Sequence, residues 1–157
     1  MPLRLPDKTV AALADPGSVK LISTVGPDGL PRTALKDSLR LLADGLLEYD
    51  ELLETSETNK NMTRALWFDR PVAATVIDPG KNVTRISAVP VRCVISGAEY
   101  LKRYRELRAR DPESDLAAVW RLRPVEAEAV DLASRRRAQE RDHPLLTHLD
   151  RLLAAND

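Results

Sequence analysis

The residues whose types and spacing best suit chemistry lie in "TSETNKNMTRALWFDRPVAATV", Thr55 to Val76. Hydroxyls lead into Lys60 and Asn61 at the start of an apolar-periodic run that Asp69-Arg70-Pro71 closes. A lysine in the first turn of a helix is disfavoured by the helix dipole, so its presence asks for a reason. The start of a helix also seats anions, because its free N–H groups and dipole favour negative charge. The spacing predicts Thr58 as the cap, its hydroxyl accepting a first-turn N–H, with Lys60 adding a full positive charge beside the remaining donors. A phosphate there would gain donors, dipole and ammonium together. The plain alternative, Lys60 and Asn61 standing in solvent, is the one that pattern alone favours.

Other constellations carry less. Gly80-Lys81-Asn82 lacks the spaced upstream glycine and trailing hydroxyl of a P-loop and reads as a turn, and no G-x-G-x-x-G follows a strand. His143 and His148 have no partner cysteine and no carboxylate at ligand spacing, so no metal is expected. The run Lys102, Arg103, Arg105, Arg108, Arg110 is interleaved with acids and reads as a solvated helix face. Arg135-Arg136-Arg137 reads the same way, or as steering for a phosphorylated ligand. Across 157 residues, 24 Lys+Arg balance 24 Asp+Glu, which gives no electrostatic case for nucleic acid or an acidic membrane. Cys93 is the only cysteine, so neither an intrachain disulfide nor a thiolate cluster is expected. The N-terminus lacks a signal-like apolar stretch, and no apolar run approaches the ~20 residues of a membrane span. A cytoplasmic location is expected.

The elements that must position these residues follow from periodicity. "LPDKTVAALADPG" predicts a short helix capped by Asp7 or Thr9 and stopped at Pro16-Gly17. "SVKLISTV" alternates, with Val19, Leu21 and Ser23 on one face and Lys20, Ile22 and Thr24 on the other. Asp28-Gly29 predicts a hairpin turn into a second strand, Arg32 to Ala43. Asp44-Gly45 turns again into "LLEYDELLE". A helix is predicted over Lys60 to Asp69, with Met62, Ala65 and Leu66 on one side and Pro71 ending it. "PVAATVIDPG" and "VTRISAVPVRCVIS" read as strands, the latter as one or as two bent at Pro90. "GAEYLKRYRELRARDP" is an amphipathic helix with Ala98, Leu101, Tyr104 and Leu107 near period 3.6. "DLAAVWRLRPVEAEAVDL" gives a final strand, and "ASRRRAQERD" a polar helix. Leu145, Leu146, Leu149, Leu152 and Leu153 then form a stripe that the barrel or another subunit must cover. Strands gathered in hairpins imply a mainly β, α+β fold: an antiparallel barrel with peripheral helices.

"VKLISTVGPDGLPRTALKDSLRL" resembles the opening hairpin of the flavin-binding split-barrel superfamily, which includes pyridoxamine-phosphate oxidase-like proteins and small bacterial FMN-binding proteins. "NKNMTRALWFDRPVAATVID" is similar to its K-x-x-N-hydrophobic helix start and "DPRVA" strand entry. "VRCVISGAEYLKRYRELRARDP" and "VWRLRPVEAEAVDL" resemble the later strand–helix and the closing strand. The resemblance runs in order from Leu5 to Asp131. It implies a six-stranded antiparallel split β-barrel over residues 1–131, with a C-terminal helical extension over 132–157. It further implies FMN as cofactor, a flavin-dependent oxidoreductase of the pyridoxamine 5'-phosphate oxidase-like type, and a homodimer whose two-fold interface holds the flavin. Carried over by position, Thr33, Ala34, Leu35, Lys36 and Asp37 would lie along the isoalloxazine and ribityl chain, and Thr58, Lys60 and Asn61 at the phosphate.

The chain departs from its relatives at Ala34 and Leu35, where they often place aromatic or amide residues. Only six aromatics are present, so the candidate rings to stack on a flavin are Trp67, Trp120, Tyr100 and Tyr104. Trp67 and Trp120 are better read as core or dimer contacts. These departures keep open a non-catalytic electron carrier or a flavin-free binding protein on the same fold. Related split barrels also use deazaflavin or haem, the latter disfavoured by the absence of barrel histidines. No residue stands out as a general acid or base, and the partner is read as a small-molecule substrate or redox protein.

Overall fold

The computed structural model describes residues 3–153. Helix α1 (Asp7–Ala14) leads into β1 (Val19–Val25), β2 (Pro31–Leu35), β3 (Arg40–Leu41) and β4 (Leu47–Glu51). Helix α2 (Glu57–Trp67), β5 (Val72–Ile77), β6 (Val83–Val94), α3 (Gly97–Arg110) and β7 (Ala118–Val130) follow. The chain continues through α4 (Leu132–Asp142), a 3-10 turn at Pro144–Leu146 and α5 (Leu149–Leu153). No helix among the described residues is long and apolar enough to cross a membrane.

The Asp28-Gly29 hairpin forms as its residues dictate. Gly29 takes φ +75°, a conformation that costs other residues strain, and β2 folds back antiparallel on β1. Beyond Leu35 the expected strand to Ala43 does not continue. The Leu39 N–H bonds to the Lys36 carbonyl, closing a turn, and the chain crosses to the opposite edge of the sheet. There β3 pairs with β4. The sheet therefore has seven strands rather than six, all antiparallel, in the order β2-β1-β5-β6-β7-β4-β3. Leu39 is fully buried at the crossing and anchors it to the core.

One apolar core is shared by all this curvature. Ile22, Ala74, Val76, Ile86, Trp120, Leu122, Leu47 and Tyr49 meet inside it, and Met62 and Ala65 of α2 join them. Period-2 alternation explains the strand contributions, and the 62, 65, 66 spacing explains the helix face. Trp120 is core, as one reading of the sequence had it, whereas Trp67 is 80% exposed. The long strand β6 is single, with irregularities that sequence did not place. Its register against β7 shifts between Ser87 and Ala88 and again between Pro90 and Arg92. The first shift inserts Val125 on β7 and the second Val91 on β6, and each exchanges the faces of the strand that carries it. Before Pro90 the even residues Ile86 and Ala88 face the main core; beyond it Cys93 does, and Val94 joins a second cluster with Leu107, Leu116 and Val119 under α3. On α3 itself Tyr100, Tyr104 and Leu107 do the packing, while Ala98 and Leu101 of the expected stripe are exposed.

Two helix starts differ from expectation. Pro6, not Asp7 or Thr9, is the N-cap of α1, and its carbonyl accepts the Thr9 and Val10 N–H groups. Thr9 turns inward and is buried. At α2 the cap is Ser56, whose hydroxyl accepts the Asn59 N–H at 3.0 Å, so the helix begins three residues earlier than Lys60 and ends at Trp67. The terminal leucines do not form one continuous stripe, and the chain's own barrel leaves them exposed. Pro144 starts a separate turn, α5 has five residues, and Leu145, Leu146, Leu149 and Leu153 are 95%, 63%, 77% and 70% exposed.

Candidate functional site

Because β2 has β1 as its sheet neighbour on one side only, its outer backbone edge faces away from the sheet. Beside it opens a cleft of about 660 Å³. Ala34, Leu35, Lys36 and Asp37 form one wall, and Ser56 and Thr58 at the start of α2 form another. Five of the eight residues expected at a cofactor thus share one space. The other three do not enter it. Thr33 bonds its hydroxyl to Ser23 of β1 at 2.8 Å. Lys60 lies on the outer face of α2, with Nζ 3.3 Å from Glu57 Oε1 and more than half of both side chains exposed. Asn61 is buried, donating from Nδ2 to Thr24 Oγ1 at 3.1 Å, while its Oδ1 has no partner.

Lys36 is the cleft's most constrained cation. Its Nζ is 2.8 Å from Glu51 Oε2, with the side chains 11% and 2% exposed. Glu51 Oε1 accepts the Leu52 and Leu53 N–H groups at 3.1 and 3.3 Å, so both carboxylate oxygens are used. The same ammonium lies 5.2 Å from the centroid of the Tyr49 ring, within cation–π range. Tyr49 is fully buried with its hydroxyl unpartnered. Burial first, and then the Glu51 charge, pushes its phenol well above the ordinary range, so Tyr49 stays neutral and does no acid–base work near neutral pH.

At the start of α2 the cap is internal and the charges oppose each other. Ser56 is engaged with Asn59, and Glu57 in the first turn offsets Lys60. Asn59 Oδ1 also accepts the Trp120 Nε1–H at 2.9 Å, tying the helix to the core. On the far side of β4 a different cluster fixes α3. Glu48, fully buried, receives Arg40 Nη2 at 2.6 Å, Arg121 Nε at 2.7 Å and Arg103 Nη2 at 2.9 Å. Burial alone would raise its carboxyl, but hydrogen bonds from Arg121 and Arg40 and the charges of Arg40 and Arg103 outweigh that and lower it. Arg40 also reaches Asp50 Oδ1 at 2.9 Å. This network is satisfied within the chain and holds the helix to the barrel.

Sequence reading missed Ser18, Lys20 and Glu51 as cleft residues. The signal for Lys20 was present: it shares a face with Ile22 and Thr24, so the alternation that buries them buries it as well.

No family model and no curated protein matches the sequence. Solved structures do match in fold. The HupZ protein of Group A Streptococcus superposes with TM-score 0.65 at 16% identity, covering 82% of this chain and 96% of that one. An F420 reductase gives 0.60 at 22% identity over 79% and 98%. An FMN-binding protein from Syntrophomonas wolfei gives 0.59 at 15% identity over 72% and 77%. The chain therefore has the split β-barrel fold shared by pyridoxamine 5'-phosphate oxidase-like and FMN-binding proteins.

Proposed function

We propose that this chain is an FMN-binding protein whose cofactor lies in the cleft beside β2, and that it works as a flavin-dependent oxidoreductase on a small molecule. The observation that carries the reading is the cleft itself: its size falls within the range of small-molecule sites, and one wall is an unpaired strand edge. Such an edge supplies the alternating N–H and C=O groups that a flavin's pyrimidine ring requires. Ala34, Leu35, Lys36 and Asp37 would border the ring system, and Ser56 and Thr58 the tail. When bound, FMN supplies hydride exchange; the chain's part is to orient the flavin and keep water from it.

We assign residues 1–131 to the cofactor-binding barrel and 132–157 to an added helical arm, of which 1–2 and 154–157 lie outside the described residues. A cytoplasmic homodimer fits the exposed apolar groups near the cleft and at the end of α2: Leu35, Leu53, Trp67 and Phe68 are 58%, 62%, 80% and 64% exposed. A second reading, a carrier without its own substrate, is favoured by one observation: no aromatic ring lines the cleft, and Lys36 is already committed to Glu51. Titration of apo-protein with FMN, followed by quenching of flavin fluorescence, tests the reading. Saturable quenching that Ala34→Arg abolishes is expected; equal quenching in the variant would move the flavin elsewhere. Anaerobic reduction by NADH or NADPH then separates enzyme from carrier.

A further inference from the structure

The inward-facing side of β1, continued back to Ser18 just before the strand, carries two polar side chains with no hydrogen bond or close ion pair. Ile22 is apolar, and Thr24 is satisfied by Asn61. Lys20 is only 7% exposed and Ser18 only 6%. The Ser18 hydroxyl has no hydrogen-bond partner. Among the described residues Lys20 makes no ion pair within 4.0 Å and no side-chain hydrogen bond. Both residues line the cleft beside β2. Buried polar groups are hydrogen-bonded as a rule; the Ser18 hydroxyl is an exception, and the Lys20 ammonium, which keeps some solvent access, opens on the same cavity, so the two together point to something that enters it.

The neighbouring charges are mostly committed. Lys36 holds Glu51, and Arg40 holds Asp50. Asp15 accepts the Gly17 N–H, and Asp111 is bonded to Ser114. Asp37, exposed on the rim, and Asp15 act on Lys20 from a distance. Arg110, exposed at the end of α3, borders the same end of the cleft.

We propose that Ser18 and Lys20 form a subsite for an anionic group, a carboxylate or phosphate, of the small molecule held in the cleft. The ammonium gains a counterion at contact distance and the hydroxyl an acceptor. Desolvation holds the Lys20 pKa below its ordinary value, and an anion beside it would raise it again. The proposal rests on reading the cleft as a ligand site, but not on the ligand's being a flavin. The anionic group belongs either to a cofactor's tail or to the substrate.

The test is titration of the full chain with inorganic phosphate and with acetate at fixed ionic strength, followed by NMR shifts of the Ser18–Lys20 amides. Saturable shifts are expected, with affinity falling about tenfold in Lys20→Met, as loss of a charged hydrogen bond requires, and less in Ser18→Ala. Lys20→Met removes a buried charge while keeping its stem, and the spectrum of the variant reports its folding directly. Absence of saturable shifts, or equal affinity in Lys20→Met, overturns the subsite. FMN and riboflavin titrated in parallel separate the two sources. A preference for FMN that disappears in Lys20→Met assigns the anion to the cofactor; an unchanged preference with phosphate binding lost assigns it to the substrate. Phosphate binding without flavin binding would leave the subsite standing and remove the flavin reading.

Discussion

Replacing Lys36 by methionine removes the cation of the most enclosed ion pair in the cleft. At 2.8 Å the attraction amounts to about 6 kcal/mol for an effective dielectric of 20. Desolvation of both groups cancels much of that in the intact protein, so the pair as a whole adds little. The single variant differs, because Glu51 remains 2% exposed with two backbone donors but no counterion. The expected cost is about 3 kcal/mol or more, and the cation–π contact with Tyr49 is lost as well. Urea unfolding with an unchanged slope would report this as a lower midpoint. Glu51→Gln added to Lys36→Met removes the stranded charge and keeps an acceptor for Leu52 and Leu53, so the double variant should recover most of the loss. A single variant within about 1 kcal/mol of wild type, or a double variant no better than the single, would refute the argument that the buried pair matters through its charge balance.

Further outcomes follow from neighbouring sites. Glu48→Gln should destabilise strongly at neutral pH, by about 3 kcal/mol or more, because three arginines lose their shared carboxylate. Since the folded pKa of Glu48 lies below its unfolded value, its stabilisation is full above the ordinary carboxylate range and fades as pH falls through the folded pKa. The gap between wild type and Glu48→Gln should therefore close on acidification, read from unfolding curves at several pH values. Ser56→Ala should cost about 1 kcal/mol in the same assay by uncapping α2, and Thr58→Val less; the reverse order would restore Thr58 as the cap. Glu57→Gln should raise FMN affinity roughly two- to five-fold by removing a negative charge from the start of α2, which borders the cleft, and so strengthening the helix dipole there, with riboflavin affinity unchanged. An equal gain for riboflavin would place the phosphate away from α2.

Much of the fold is legible in the chain because local rules decide it. Asp28-Gly29 can only turn, Val19 to Val25 can alternate in one way, and Pro71 must end the helix before it. What escaped depends on where the chain goes next. Nothing local announces that Lys36 to Leu39 crosses from one sheet edge to the other, yet that crossing makes the seventh strand and opens the cleft. The shifts around Ser87 and Pro90 are equally non-local, since a bulge is defined by the partner strand. At α2, two hydroxyl residues two apart offer rival caps, and the choice of Ser56 over Thr58 alters the meaning of Lys60. The leucines after His143 have strong apolar content but a proline-interrupted backbone, so composition suggested one stripe where the chain forms two short pieces. A charge buried by strand alternation, as at Lys20, is visible in the pattern once the face is assigned, whereas Glu51 lies on a strand buried along its whole length, where no alternation marks it.

The most direct measurement is the spectrum of the purified protein after incubation with excess FMN and removal of free flavin, followed by mass analysis of what denaturation releases. A yellow protein yielding FMN, one per chain, is the predicted result. A colourless protein that releases nothing would contradict the claim that the cleft beside β2 is built for a flavin.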